Sequence, residues 1–212
     1  GGMRASATLE RVIDEQDVPI RHGVFIAVAG PSGAGKDSVM DYARQRLGPQ
    51  DSDVTFVRRV ITREMDGAGE AHDCLTRADF DEAEAKGAFA VSWEANGLKY
   101  GLPASVDDIV RDGHVAVANV SRAVIPLLRE RYGNVVAVIV TAARDVLAER
   151  LSSRGRETRE EVLARLERAH AKELTVEGAT VIDNSGTLEE AGERFQDVLR
   201  RAAAWSAVSD SV

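Results

Sequence analysis

Gly30-Pro31-Ser32-Gly33-Ala34-Gly35-Lys36 is the stretch on which the reading of this sequence turns. It has the spacing G-x-x-x-x-G-K, follows the unbroken apolar run Val24-Phe25-Ile26-Ala27-Val28-Ala29, and opens a helical pattern that runs from Lys36 to Leu47 and stops at Gly48-Pro49. An apolar run of that length suits a strand buried on both faces, as in a parallel sheet. Glycines let successive backbone N–H groups turn inward around a phosphate. The helix N-terminus adds partial positive charge, and a lysine reaches the outer phosphates. Strand, loop and helix in this order make the segment a P-loop for a nucleotide. Its seven residues, with Asp37 and Ser38, are the candidate ATP-binding group, and Lys36 is also a candidate catalytic residue.

Working outward, strand and helix signals alternate. Val54-Thr55-Phe56-Val57 begins a second strand, and Thr76 with Asp79 has the spacing of a capping box for a helix that Gly87 ends. Ala88–Trp93 and Lys99–Leu102 flank Asn96-Gly97, a hairpin turn signal. The stretch 54–103 therefore reads as antiparallel and distinct from the rest. Beyond it come strands at 115–118, 135–140 and 180–182, helices near 121–132 and 143–153, a long helix opening at Thr158 with Glu161 as its box partner, and a last helix from about Leu188. The alternation predicts an α/β fold: a P-loop core on a parallel sheet over 23–205, with a small substrate-binding part (54–103) and a helical lid (144–168). Residues 1–22 are expected to be a flexible lead-in and 206–212 to fray.

Composition narrows the function. The chain has 212 residues, 44% of them apolar, and a formal charge of −8. That charge argues against coating nucleic acid, which takes a broad basic face, but not against a small anionic ligand held by a few arginines. No apolar run is long enough to span a membrane, no signal-peptide pattern is present, and a single cysteine, Cys74, suits a reducing cytoplasm. Oligomeric state is not legible.

One position departs from the usual P-loop. The residue after the lysine is ordinarily Ser or Thr, whose hydroxyl holds Mg²⁺; here it is Asp37. A carboxylate is a better Mg²⁺ ligand, so Asp37 is a candidate metal residue, although acids in a first helical turn are also favoured by the dipole. Seven arginines lie within 144–170, against six acids. Arg144, Arg159 and Arg168 read as parts of a solvated face. Arg150 and Arg154 share a helix face before Gly155, and Arg165 lies on the following helix. These three have the placement of lid arginines that stabilise charge on a transferring phosphoryl group.

These pieces together resemble the guanylate kinase family over about residues 23–200. The resemblance rests on the P-loop, Thr62-Arg63 with Gly69-Glu70, Ser92-Trp93 to Tyr100-Gly101, Arg150-Leu151, Arg154-Gly155, Glu157-Thr158, Arg165-Leu166 and Asn184. It implies that Arg63 and Tyr100 hold the acceptor's phosphate and that Asn184 lies near adenine. The departures fall at the base-reading end. Ser92 stands where a glutamate reads guanine, Leu102 where a Ser or Thr does, and the stretch Asn119–Ser121 carries no acid. At the phosphate end Asp66 replaces a second arginine, and His72 falls where a tyrosine contacts phosphate. With its base-reading groups gone, a guanine would be left unpaired.

A narrower likeness accounts for this pattern. Lys36-Asp37-Ser38, Arg59-Val60-Ile61-Thr62-Arg63, Gly69-Glu70-Ala71-His72, Ser92 to Gly101, Asn119 to Ala123 and Arg154-Gly155-Arg156-Glu157 are similar to the ribose 1,5-bisphosphate phosphokinase family of phosphonate catabolism. The likeness implies an enzyme that uses ATP and Mg²⁺ to convert a sugar bisphosphate to phosphoribosyl diphosphate. Arg59, Arg63, His72, Lys99, Tyr100 and Arg122, with Ser121, would supply donors for two phosphates. Trp93 reads as core, and Cys74 as packing. Guanylate kinase proper and a non-catalytic interaction module are the rival readings; Ser92 and Leu102 disfavour the first, and Lys36 with the lid arginines the second.

Overall fold

The computed structural model describes residues 19–63, 72–171 and 175–210. Strand β1 (Val24–Ala29) runs through its middle, flanked in parallel by β7 (Val115–Asn119) and β8 (Val135–Thr141). All six β1 residues are buried, which explains the unbroken apolar run. Val24, Ile26 and Val28 face one core and Phe25, Ala27 and Ala29 the other. β2 (Val54–Phe56) joins β7, and β9 (Thr180–Asp183) joins β8, completing a parallel five-stranded sheet in the order β2-β7-β1-β8-β9.

Helices cover both faces. On the Val24 side lie α1 (Lys36–Gln45), α5 (Arg144–Arg154), α6 (Arg159–Ala171) and α7 (Leu188–Asp210), through Val39, Leu147, Val162, Phe195 and Leu199 among others. On the Phe25 side lie α3 (Ser105–Arg111) and α4 (Ile125–Arg131). Tyr132 stacks on Phe25 with ring centroids 5.4 Å apart, and its hydroxyl donates to Asp107 at 2.7 Å. Arg131 grips the same carboxylate through both of its oxygens, at 2.8 and 2.5 Å. Burial pushes the Asp107 carboxyl up, but the bonds from Arg131 and Tyr132 outweigh that and hold it below the usual carboxylate range.

A second sheet stands apart from the first. It comprises β3 (Arg59–Thr62), β4 (His72–Leu75), β5 (Phe89–Ala95) and β6 (Leu98–Pro103), in the order β4-β3-β6-β5, with α2 (Arg77–Ala85) beside it. Thr76 Oγ1 accepts from the Asp79 N–H at 3.1 Å, capping α2, and Gly87 ends it with φ 78°. Asn96 (φ 53°) and Gly97 (φ 77°) form the β5–β6 turn, where both residues need positive φ.

Three expectations need correction. Val54–Phe56 belongs to the large sheet, because it pairs with β7 and its Val54 and Phe56 pack on the Val24-side core. The stretch that follows is not wholly antiparallel either, since β3 and β4 pair in parallel. Helix α7 does not fray at residue 206. Ser206 is buried and its hydroxyl donates to the carbonyls of Gly113 and His22, so packing extends the helix through Asp210. Of the lead-in, Ile20 is tied down beside Tyr132, its N–H donating to Arg131 O at 2.9 Å; residues 1–18 lie outside the described residues. Among the described residues no helix is long and apolar enough to cross a membrane.

Candidate active site

The P-loop closes tightly over the ends of β1 and β8. At Gly30 (φ 153°) a Cβ would fall 2.1 Å from the Val140 carbonyl oxygen, and at Gly35 (φ 81°) 2.6 Å from Asn184 Nδ2. Only glycine fits at either position. Lys36 Nζ reaches back to the Gly30 carbonyl at 3.5 Å. Burial lowers its pKa; Asp37 pulls the other way, while Arg59 and Arg122 push it further down. Asp37 Oδ1 accepts from Asn119 Nδ2 at 2.9 Å, so the end of β7 meets the first turn of α1 at this carboxylate.

A cleft of about 1100 Å³ opens between the P-loop and the small sheet. Among the described residues its lining includes five Lys and Arg side chains (Lys36, Arg59, Arg63, Arg122 and Arg144) and a single carboxylate, Asp37. His72, His170, Tyr100 and Ser121 also line it. Burial lowers the Arg59 pKa, opposed by Asp37 and Tyr100, while Arg63 adds to the lowering. Positive charge is therefore crowded in the cleft of a protein whose overall charge is −8. Such a cavity gains most from a multiply charged anion.

The structure brings Gly30, Pro31, Ser32, Lys36, Asp37, Arg59, Arg63, His72, Tyr100, Ser121 and Arg122 to this one cavity. Other candidates lie elsewhere. Gly33, Ala34, Gly35 and Ser38 do not line it. Lys99 is turned to the opposite face of the small sheet, where its ammonium meets Asp81 at 2.6 Å, because alternate residues of a strand point to opposite sides. Ser92 likewise donates to Glu84 at 2.5 Å, and Leu102 is fully buried in the Phe25-side core. Neither position can report on what the cleft reads. The residues of β5 that do line the cleft are Trp93 and Ala95, so Trp93 is not a simple core residue.

Arg150 also has a different place. It donates to the carbonyls of Gly33 (3.1 Å), Ala34 (3.4 Å) and Asn184 (2.7 Å), bracing the P-loop from behind. Asn184 is buried beneath the same loop, with Nδ2 donating to Ala34 O at 2.7 Å, and does not line the cleft. Arg154 and Arg165 remain outside the cavity, Arg165 paired with Glu157 at 3.0 Å. Arg144, read from the sequence as solvated, lines the cavity instead, as does His170. A helix-start arginine next to the strand ends was the signal available for Arg144; nothing local marked His170. Gly69, Glu70, Ala71 and Asp66 lie outside the described residues.

No protein-family profile matches the chain. Among solved structures, a guanylate kinase from Anaplasma phagocytophilum superposes with a TM-score of 0.59, covering 84% of this chain and 85% of that one. At 20% identity that likeness concerns the fold alone. Relatives by sequence are far nearer. The ribose 1,5-bisphosphate phosphokinase PhnN of Chelativorans sp. (strain BNC1) is 62% identical over 207 residues, which is 98% of this chain and 99% of the relative. That of Agrobacterium fabrum is 46% identical over 182 residues, covering 84% and 97% respectively. With identity this high over nearly the full length of both chains, the protein belongs to the ribose 1,5-bisphosphate phosphokinase family.

Proposed function

We propose that the chain transfers the γ-phosphoryl group of ATP to the 1-phosphate of ribose 1,5-bisphosphate, giving phosphoribosyl diphosphate and ADP. The observation that carries this reading is the cleft itself: among the described residues, five cationic side chains against one carboxylate, with a P-loop at one side and the small sheet at the other. A donor triphosphate and an acceptor with two phosphates are the ligands that such an excess of charge suits.

An oxygen of the acceptor phosphate attacks Pγ, and the bond from Pγ to the β–γ bridging oxygen breaks. The attacking oxygen is already anionic, so no side chain has to remove a proton. Positioning and charge neutralisation carry the catalysis. Lys36, at the mouth of the P-loop, follows the migrating group. Arg59 and Arg122, close enough to Lys36 to depress its pKa, hold the acceptor phosphate against it. Arg63, His72 and Tyr100 are available to the second phosphate. Arg154 and Arg165, outside the cavity here, reach the phosphates only when α6 and the end of α5 beyond Arg150 move toward the P-loop.

The donor set also suits Mg²⁺, which takes one or two carboxylates with phosphate oxygens and waters. Asp37, in the cleft beside Lys36, offers one carboxylate that Asn119 steadies. Asp37 would hold the ion directly or through a water. Bound there, Mg²⁺ would neutralise charge on the β- and γ-phosphates. The lone cysteine, Cys74, lies buried in the small sheet, as suits a reducing cytoplasm.

A coupled assay for ADP release, run with ribose 1,5-bisphosphate and with GMP as acceptors, tests the reading. The sugar bisphosphate should turn over and GMP should not. A kcat/KM for GMP equal to that for the sugar bisphosphate would overturn it.

A further inference from the structure

One wall of the cleft is a row of residues across the small sheet. Trp93 on β5 lies opposite Tyr100 on β6, and Tyr100 opposite Ile61 on β3. Directly opposed residues share a face, and all three line the cleft. The indole and phenol rings are stacked, 5.4 Å apart with 7° between their planes. The Arg59 guanidinium lies 5.4 Å from the centroid of the Tyr100 ring. Contacts on the other face fix the strand: Ser92 bonds Glu84, and Glu94 pairs with Arg77 at 2.8 Å. With its neighbours committed there, Trp93 faces the cleft.

Cations bracket this row along β3. Arg59 precedes Ile61 by two residues and Arg63 follows it by two, and both line the cleft. Three residues separate them, so the two lie four steps apart along the chain, roughly 13 Å at most. The wall thus offers charge, then an apolar surface one or two rings wide, then charge again. Among the described residues the one carboxylate of the lining, Asp37, lies beside the P-loop, so none of them sets an acid beside Trp93 to accept N–H groups from a base. Against these residues a nucleobase would lose water from those groups without an anionic partner.

We propose that Trp93 is the residue that selects a bare sugar ring as the acceptor. Its indole, stacked on Tyr100, forms a flat apolar floor for the C–H face of the furanose while Arg59 and Arg63 take the two phosphates. The stack also orients Arg59, through its cation–π contact with Tyr100, toward the transferring group. This assignment rests on the function proposed above and adds the means by which that acceptor is recognised.

The protein has two tryptophans, and the other, Trp205, lies exposed on α7. In a Trp205→Phe background, emission therefore reports Trp93 alone. Adding ribose 1,5-bisphosphate without ATP should change that emission, and Mg²⁺-ATP alone should not. Trp93→Ala should raise the acceptor KM about tenfold or more, the scale of one lost aromatic contact. The ATP KM should change little, and Trp93→Phe should recover most of the loss. A merely structural tryptophan would lower thermal stability without this selective rise. If Trp93→Ala does not fold, the fluorescence titration still decides. Emission indifferent to a sugar bisphosphate that the enzyme turns over, or an unchanged acceptor KM in a folded Trp93→Ala, overturns the proposal. A parent protein with no turnover of ribose 1,5-bisphosphate would instead sink the functional reading, and this assignment with it.

Discussion

Asn119 at the end of β7 donates a hydrogen bond of 2.9 Å to the carboxylate of Asp37 in the first turn of α1. The two positions where P-loop enzymes usually place a hydroxyl and an acid are here an acid and an amide, and they touch. Among the described residues lining the cleft, the single carboxylate is therefore contributed by α1 rather than by the strand. Asp37→Asn should raise the Mg²⁺ concentration for half-maximal rate about tenfold or more at saturating ATP. Asp37→Thr should recover part of it. An unchanged Mg²⁺ dependence in Asp37→Asn would leave the residue as a helix-terminal charge only.

Arg150 and Arg165 should separate in their effects. Arg150 bonds three carbonyls around the P-loop, so Arg150→Ala should cost about 1–3 kcal/mol of stability and raise the ATP KM. Arg165 is exposed and paired only with Glu157 among the described residues, so Arg165→Ala should leave the melting temperature alone. It should lower kcat more than it raises the acceptor KM. A normal melting temperature and ATP KM in Arg150→Ala, with kcat collapsed, would reassign Arg150 to the transferring phosphate.

Two cations of the small sheet, Lys99 on β6 and Arg59 on β3, give a sharper contrast. Lys99 faces Asp81, whereas the cleft wall carries Arg59. Steady-state kinetics should show Arg59→Ala raising the acceptor KM by about 10- to 100-fold, the scale of a charged hydrogen bond. Lys99→Ala should leave it near the parent value. Equal losses in the two variants would mean that the small sheet presents its other face to the acceptor.

Asp107 makes a prediction about pH. Its folded pKa lies below the ordinary aspartate value because the bonds from Arg131 and Tyr132 overcome burial. The stabilisation is therefore complete above the unfolded pKa of about 3.9 and is lost as pH falls through the folded value. Asp107→Asn should cost about 2–4 kcal/mol near neutral pH, discounted for the partial exposure of Arg131. Denaturant titrations should show that gap narrowing below about pH 4. A gap independent of pH would mean that the carboxylate's charge contributes nothing.

The P-loop, the Thr76 and Thr158 caps and the Asn96-Gly97 turn were legible in the sequence because each is set by residues within a few positions of one another. The orientation of Ser92, Trp93, Lys99 and Tyr100 was not. Alternation fixes which of them share a face, but only the pairing of β6 with β3 decides which face meets the cleft. Arg150 and Asn184 were misplaced for a related reason. Their partners in the P-loop lie 117 and 150 residues away, and an arginine suited to a phosphate is equally suited to a carbonyl. The short strand β2 was assigned to the wrong sheet because three residues carry too little pattern to name a partner.

The bonds of Arg150 have a mechanical consequence. A helix fastened at its seventh residue to the P-loop resists swinging as a whole. In the closure proposed above, α5 would act as a lever with its fulcrum at Arg150, the arc developing beyond it, through the extended Gly155 and the turn that follows. Displacement along such an arm grows with distance from the pivot. Arg154, one turn past Arg150, would be confined to a short stroke, while Arg165 on the returning helix would have the long one.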